Sequence, residues 1–205
     1  MIDLTKSETG VWTVTINRPD KANSLTPDML TDLRDIARDA QSARGFIITG
    51  AGRVFSAGAD LDAARAGLAT SPLWEELSSA IADLPCLSVA ALNGTLAGGA
   101  NGMALACDIR IAVQGAKVFY PVMKLGYMPQ PSDPRRMAAL IGPARTKMIL
   151  MAGQKITTDE AFNYGLIDRI VDADALIDHA HELIADSAAA DPSLVTAIQQ
   201  MIENA

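Results

Sequence analysis

The sequence Asn-Gly-Thr-Leu-Ala-Gly-Gly-Ala-Asn-Gly-Met-Ala-Leu-Ala-Cys-Asp, residues 93–108, decides how this chain folds. The run before it, residues 87–92, is short and apolar like a buried strand, whereas the small and apolar residues after Gly99 are typical of a tightly packed helix. Free N–H groups and the positive end of the helix dipole meet at such a helix start, which favours an anion or a developing oxyanion as ligand. A second interpretation is that the glycines only let a helix pack against a sheet.

The chain makes the same strand-to-loop-to-helix arrangement once more upstream. Residues 46–49 predict a strand, and a glycine-rich loop then leads into acidic, alanine-rich helical sequence after Asp60. Further strands are predicted at residues 11–17, 109–113, 117–120 and 167–171. Helices are predicted at residues 26–43, 71–83, 135–140, 143–151, 173–190 and from 191 onward. These elements predict one α/β domain over residues 1–205.

Two shorter segments carry local signals. Residues 157–160, Thr-Thr-Asp-Glu, form a capping box for a short helix that Gly165 ends. Residues 121–134 contain four prolines and Gly126, which predicts a loop that overhangs a site.

Composition excludes several classes of function. The chain has 205 residues, of which 49% are hydrophobic and 20% charged, and no apolar run approaches the ~20 residues that span a bilayer. The net charge of −7 argues against a nucleic-acid or anionic-membrane partner. No secretory signal is visible, so a cytoplasmic location is expected. His179 and His181 stand two apart and the two cysteines lack ligand spacing, so no metal site is expected.

Five motifs then occur in sequence, at residues 17–25 (NRPDKANSL), 54–61 (VFSAGADL), 93–99 (NGTLAGG), 107–110 (CDIR) and 161–171. In order and spacing they resemble the crotonase, or enoyl-CoA hydratase/isomerase, superfamily, and the resemblance covers essentially the whole chain. It implies a spiral of β-β-α units, usually a trimer or a dimer of trimers, that binds acyl-CoA thioesters. A homotrimer or hexamer is therefore expected, with no separate cofactor, because CoA enters as part of the substrate.

The resemblance also implies which residues bind the substrate. Two backbone N–H groups hold the thioester oxygen in this family, and the matching positions are Ala59 and Gly99. Preorganised donors of this kind stabilise an enolate-like intermediate. An alternative for Ala59 is an ordinary residue at a helix start.

The CoA side is expected at the two upstream loops. The matching residues there are Lys21, Ala22, Ala57 and Leu61, with Lys21 meeting a phosphate as a point charge. For Lys21, and equally for the nearby Arg18 and Arg53, a solvated surface cation is the alternative.

Two departures concern the family's catalytic glutamates. This chain has Gly102 and Val122 at their positions, and neither residue transfers a proton. General acid–base groups contribute ~10²–10⁴-fold each, so ordinary hydration is disfavoured. Asp133 and Tyr127 are the substitutes that we expect, with Tyr120, Asp60 and Asp62 also nearby. Asp133 also suits a helix N-cap, the tyrosines suit packing positions and Asp60 suits a structural role.

A third departure is length. Family members commonly continue for several more helices, so we expect truncated C-terminal helices, a more open pocket and rearranged oligomer contacts.

Several functions remain open at this point. The first is an enzyme that forms an enolate-like intermediate, with lyase-type chemistry such as decarboxylation favoured over hydration. The second is a non-catalytic acyl-CoA-binding or assembly subunit. A serine hydrolase of the Clp type shares the spiral but needs a Ser–His pair, and both histidines lie far along the chain from Ser56 and Ser88. A dinucleotide site is weaker still, since the glycines miss the required spacing.

Overall fold

The computed structural model describes residues 1–203 and contains ten strands. In chain order these are β1 (Ile2–Lys6), β2 (Val11–Ile16), β3 (Gly45–Gly50), β4 (Val54–Ser56), β5 (Ser88–Leu92), β6 (Thr95–Ala97), β7 (Ile109–Val113), β8 (Lys117–Phe119), β9 (Ile156–Thr157) and β10 (Arg169–Val171). They form a six-stranded sheet in the order β1-β2-β3-β5-β7-β10 and a four-stranded sheet in the order β4-β6-β8-β9. Pairing is parallel throughout, except that β1 with β2 and β8 with β9 are antiparallel.

Nine α-helices occur among the described residues: α1 (Pro27–Asp39), α2 (Leu61–Arg65), α3 (Leu73–Ala82), α4 (Asn101–Ala106), α5 (Val122–Leu125), α6 (Asp133–Leu150), α7 (Thr158–Tyr164), α8 (Leu176–Ala189) and α9 (Pro192–Glu203). Short 3₁₀ segments lie at Pro19–Lys21, Ala40–Ser42, Leu68–Thr70 and Gly98–Ala100.

The chain repeats one unit along the two sheets. Strands β3, β5 and β7 each lie in the large sheet, and each is followed by a short strand in the small sheet, β4, β6 or β8, and then by helix. Strands β3, β5 and β7 are parallel neighbours in the large sheet, so each repeat of the unit adds one strand to that sheet. This is the predicted spiral of β-β-α units, and the α/β fold class is confirmed.

The large sheet is covered on both faces, which explains its nearly continuous apolar strands. Phe46 and Ile48 point to the main core beneath α1, α3 and α4, whereas Ile47 between them points to a second cluster. Helix α8 closes that second cluster with Ala180 and Ile184. The sheet thus provides a rigid platform from which the loops after its strands project.

One prediction needs correction, and several short strands were not predicted. The segment at 121–134 is not all loop, because residues Val122–Leu125 form one helical turn that Gly126 ends with φ 73°. The two helices predicted at 135–140 and 143–151 are confirmed as the two halves of α6, which the non-helical Gly142 (φ 76°, ψ 162°) separates before Pro143. The sequence reasoning also missed β1, β4, β6 and β9, which are two to five residues long and too short for a clear period.

Candidate active site

The site is built where the loops after β4 and β6 meet. Gly58 has φ +87°, and a Cβ atom on it would lie 2.9 Å from the carbonyl oxygen of Ala97 and 3.3 Å from Cα of Gly98. Only glycine at position 58 allows this approach. The glycines in both motifs therefore serve loop-to-loop contact as well as helix packing.

Hydrogen bonds fix the first loop in place. The Leu25 N–H donates to the Gly58 carbonyl (2.8 Å), and the Asp60 N–H donates to the Leu25 carbonyl (2.9 Å). The Ser56 hydroxyl is fully buried; it donates to the Asn23 carbonyl (2.8 Å) and accepts from the Gly58 N–H (3.1 Å). Hydrogen bonds thus fix the backbone of Gly58, before Ala59, and of Asp60, after it.

The two predicted donors remain free. No hydrogen bond from the Ala59 N–H to another described residue is formed, although the N–H groups of Gly58 and Asp60 beside it are both engaged. Gly99 lies in the first turn of the 3₁₀ segment Gly98–Ala100, where backbone donors have no intrahelical partner. Both residues line one cavity of about 370 Å³. Two residues whose N–H groups are unpaired therefore line the same cavity.

The rest of the cavity wall is mostly apolar. Trp74 forms part of it and is held by its indole N–H, which donates to the Leu68 carbonyl (2.8 Å). The proline-rich segment contributes Pro121, Val122, Leu125, Tyr127, Met128 and Gln130, so it does overhang the site as predicted. Arg65 is the one charged side chain among the described lining residues; it is largely exposed and pairs with Asp62 at 3.0 Å. No carboxylate of the described chain lines the cavity.

Gly102 and Val122, the two positions where the sequence resemblance leads us to expect the catalytic glutamates, lie at or beside this wall. Val122 lines the cavity, and Gly102 lies in α4 just beyond Gly99. A Cβ atom on Gly102 would lie 3.0 Å from Oδ1 of Asp133. The Asp133 carboxyl thus occupies the volume into which a side chain at position 102 would grow.

Asp133 is fully buried and does not itself line the cavity. The Tyr120 hydroxyl, on a residue that does line it, donates to Asp133 Oδ2 at 2.9 Å. Burial raises the pKa of Asp133 from 3.8 to about 7; the Tyr120 hydrogen bond and Arg136 oppose this shift, whereas Glu75 adds to it. Asp133 therefore exchanges its proton near neutral pH.

The alternative of Asp133 as a helix N-cap is wrong. Asp133 is the first residue of α6, Ser132 is the capping position, and no side-chain cap bond forms there. Tyr127, the other proposed acid or base, lines the cavity with 39% of its surface exposed.

The predicted CoA side lies on the first loop and beside it. Ala57 and Leu61 line the cavity, and Leu61 is 75% exposed. Lys21 is exposed, and its ammonium group forms no ion pair with the described residues. Ala22 has φ 50°, and its carbonyl accepts from the Ala57 N–H (3.0 Å), so the two loops are joined at this point.

Other residues of the motifs have structural roles. The Arg18 guanidinium donates to Asp60 (2.9 Å) and to the Ser24 carbonyl (3.0 Å), so it is not a free cation. That contact, together with N–H groups of α2, holds the pKa of the Asp60 carboxyl below its usual range. Arg110 is buried and donates to the carbonyls of Ala104, Cys107, Asp108 and Leu166, which anchors the end of α4.

The described residues contain no Ser–His pair. Ser56 is buried and bonded as described, Ser88 bonds to Asp108 (2.7 Å), and His179 pairs with Glu182 on α8. Helix α8 packs on the opposite face of the large sheet from the main core. This arrangement speaks against the serine hydrolase.

Two kinds of feature are absent from residues 1–203. No helix among them is both long enough and apolar enough to span a bilayer. No group of three or more His, Cys, Asp or Glu side chains among them is arranged to hold a metal ion.

Sequence reasoning missed parts of the site. The sequence places Tyr120 near the site but does not show its bond to Asp133, and nothing in the sequence marks Arg65 or Trp74 as wall residues. The amphipathic helix around Trp74 was visible, yet nothing local shows which element its ring faces.

Comparison with known proteins places the site in context. The family model described as enoyl-CoA hydratase/isomerase matches residues 6–205. The 1,2-epoxyphenylacetyl-CoA isomerase of Escherichia coli is 31% identical over 88% of this chain and 73% of that protein. The ethylmalonyl-CoA decarboxylase of Bos taurus is 26% identical over 99% of this chain and 70% of that protein. The crystal structure of an enoyl-CoA hydratase from Bacillus anthracis superposes with a TM-score of 0.91 at 31% identity, covering 99% of this chain and 82% of that chain.

Proposed function

The chain belongs to the enoyl-CoA hydratase/isomerase family, and from this membership we propose that it is an enzyme acting on an acyl-CoA thioester through an enolate-like intermediate. The N–H groups of Ala59 and Gly99 hold the thioester oxygen. The observation that carries the proposal is the presence of both unpaired donors in the wall of one apolar cavity.

Such donors act most strongly where charge develops. As the carbonyl becomes an enolate, its oxygen gains negative charge, and each donor in a dry site contributes ~3–4 kcal/mol by mutational measure. Apolar walls such as those of Trp74, Val122 and Leu125 exclude water and strengthen this interaction. The donors therefore stabilise the intermediate more than the ground state.

Within the family, we propose decarboxylation or related lyase chemistry rather than hydration. Hydration across a double bond needs groups that move protons at the cavity wall, and Gly102 and Val122 supply none. Loss of CO₂ breaks a carbon–carbon bond and leaves its electron pair as the enolate, so that step requires no base. The similarity to proteins named as a decarboxylase and an isomerase supports reactions other than hydration.

The orientation of CoA is part of the proposal. Ala57 and Leu61 at the cavity edge and Ala22 on the adjoining loop form its surface, and Lys21 meets a phosphate. We further propose that the chain forms a homotrimer or hexamer and that no separate cofactor or metal takes part.

The test is a comparison of thioesters at equal concentration. Purified protein is incubated with ethylmalonyl-CoA, methylmalonyl-CoA and crotonyl-CoA, while CO₂ release and loss of enoyl absorbance are followed. We expect decarboxylation of a malonyl-type thioester, and hydration of crotonyl-CoA at least ~10³-fold slower than by a glutamate-bearing homologue.

Two outcomes contradict the proposal. Hydration of crotonyl-CoA at ~10 s⁻¹ or faster refutes the preference for lyase chemistry. Tight binding of all three thioesters without turnover supports the second candidate, a non-catalytic acyl-CoA-binding subunit, which the absence of a carboxylate from the described cavity wall also favours.

A further inference from the structure

We propose that Tyr120 and Asp133 together form the proton-transfer device of this site, with the Tyr120 hydroxyl meeting the substrate α-carbon and Asp133 exchanging the proton behind it. This inference rests on the proposed function, since it requires an acyl thioester in the cavity. It replaces the two missing glutamates with one buried pair.

The first observation is spatial. Asp133 Oδ1 lies 3.0 Å from the position that a Cβ atom on Gly102 would take. Gly102 stands three residues after the donor Gly99, so the Asp133 carboxyl approaches the oxyanion side of the site from behind α4. A larger residue at 102 would displace it.

The second observation is an unsatisfied atom. Asp133 is fully buried, and its Oδ1 has no hydrogen-bond partner, whereas Oδ2 accepts from Tyr120 at 2.9 Å. Leaving a buried carboxylate oxygen unpaired costs ~1–3 kcal/mol or more. Packing alone would favour an apolar residue at position 133. The buried carboxyl therefore indicates a functional role.

The third observation is the link to the cavity. Tyr120 is itself only 3% exposed but belongs to the cavity wall, next to Pro121 and Val122. Its hydroxyl accepts from the Gln130 N–H (N to O distance 3.5 Å) and donates to Asp133 Oδ2 (2.9 Å). Burial and the neighbouring Asp133 raise the pKa of Tyr120 above its ordinary value, so the phenol keeps its proton unless it passes it directly to Asp133.

The charges around Asp133 suit a group that titrates near neutrality. Arg136 from α6 stabilises the carboxylate, Glu75 from α3 opposes it, and burial is the largest influence. Because burial outweighs the opposing influence of Arg136, the pKa of Asp133 is raised to about 7. The group therefore accepts and releases a proton at the pH of the cell.

The step balances without a further reactant. For a saturated acyl thioester, the α-carbon C–H bond breaks, and its proton goes to the Tyr120 oxygen as Tyr120 passes its own proton to the Asp133 carboxylate. The electron pair of that bond becomes the enolate, whose oxygen is held by the Ala59 and Gly99 N–H groups. In the reverse transfer, Tyr120 gives its proton to the α-carbon and takes the proton of Asp133. The same transfer, starting from protonated Asp133, would protonate the enolate that is left by loss of CO₂.

The experiment measures this transfer separately from binding. Butyryl-CoA is incubated with the protein in D₂O, and incorporation of deuterium at the α-carbon is followed by mass spectrometry, while its dissociation constant is measured by calorimetry. We expect the wild type to accelerate exchange, with a rate that rises with pH and levels off above about pH 7, because the carboxylate form of Asp133 is the acceptor.

Two variants test the residues, and one variant is the control. Asp133→Asn and Tyr120→Phe should each slow exchange by at least ~10²-fold with little change in the dissociation constant, and Asp133→Asn should remove the rise near pH 7. Thr158→Val is the control, because the Thr158 hydroxyl is also buried and bonded to the carbonyls of Val113 and Ala116, away from the cavity. It should keep the wild-type exchange rate.

A double substitution guards against simple misfolding. Gly102→Glu alone should lose exchange, since its side chain meets the Asp133 carboxyl, whereas Gly102→Glu with Asp133→Ala should recover part of it through the new carboxyl.

Butyryl-CoA binding with no exchange by the wild type overturns this inference and leaves the proposed function standing. Wild-type exchange rates in Asp133→Asn or Tyr120→Phe also overturn it. Absence of butyryl-CoA binding refutes the proposed function, and the inference falls with it.

Discussion

Replacing Gly58 with alanine tests how closely the two donor loops must approach. Gly58 has φ +87°, where an L-residue costs roughly 1–2 kcal/mol more than glycine. The added Cβ would also lie 2.9 Å from the Ala97 carbonyl oxygen, at least 0.5 Å inside the 3.4 Å at which ordinary contact begins. Since both partners are backbone, the loops must move apart.

Movement of this size separates the donors. Ala59 follows Gly58 directly and Gly99 belongs to the opposing loop, so a shift of about half an ångström changes the distance between their N–H groups. A misplacement of ~1 Å costs ~10²-fold in rate, and loss of one oxyanion donor costs ~10²–10³-fold. We expect Gly58→Ala to lower kcat/KM for the thioester by ~10-fold to ~10²-fold and to lower the free energy of unfolding by about 2 kcal/mol.

The matched control is Gly115→Ala. Gly115 also has positive φ (+82°), but a Cβ atom there would meet nothing within 4 Å, and the residue lies in the turn after β7. It should show the conformational cost of about 1–2 kcal/mol without the loss of activity. Turnover and urea unfolding are measured for both variants. Equal activity in Gly58→Ala and Gly115→Ala would refute the argument that loop approach positions the donors.

Three further predictions concern stability and assembly. Because burial raises the pKa of Asp133 from 3.8 to about 7, the folded protein binds this proton more tightly than the unfolded chain, so the group's stabilising contribution is complete below about pH 4 and is lost as pH rises to about 7. Asp133→Asn should therefore increase the free energy of unfolding relative to wild type, by up to ~4 kcal/mol at about pH 8 and by less at about pH 4. The higher Tm of the variant at about pH 8 is the measurement, and an equal shift in Tm at both pH values would contradict this. Ser56→Ala should lower the free energy of unfolding by about 1–3 kcal/mol in urea titration, because the Asn23 carbonyl and the Gly58 N–H lose a buried partner; an unchanged midpoint would argue against that role. Light scattering should give a mass of at least three chains, and a mass near 21.6 kDa at micromolar concentration would exclude the expected trimer.

Much of the fold follows from local sequence. The apolar strands β3, β5 and β7, the Thr-Pro start of α1 and the capping box at Thr157 each have a period or a cap that neighbouring residues specify. The capping box forms as predicted, with the Thr157 side chain accepting from the Glu160 N–H (3.2 Å). The order of the motifs also identified the family, which the family model matches over residues 6–205.

The short second strand of each unit was not predictable in this way. Strands β4 and β6 are three residues long and pair with each other in the small sheet, where β6 also pairs with β8. A local pattern cannot specify a strand of three residues whose partner strands lie in distant parts of the chain.

The sequence by itself determined which residues are small enough for the donor loops and that positions 102 and 122 carry glycine and valine, which transfer no proton. Only the tertiary structure decided what fills the space beside Gly102. Asp133 lies 31 positions further along the chain, and it reaches that space because α6 begins behind α4 while Tyr120 turns its hydroxyl onto the same carboxyl. The packing of helices from distant segments sets that contact, and the resulting desolvation, which no local motif encodes, raises the pKa of Asp133 to about 7.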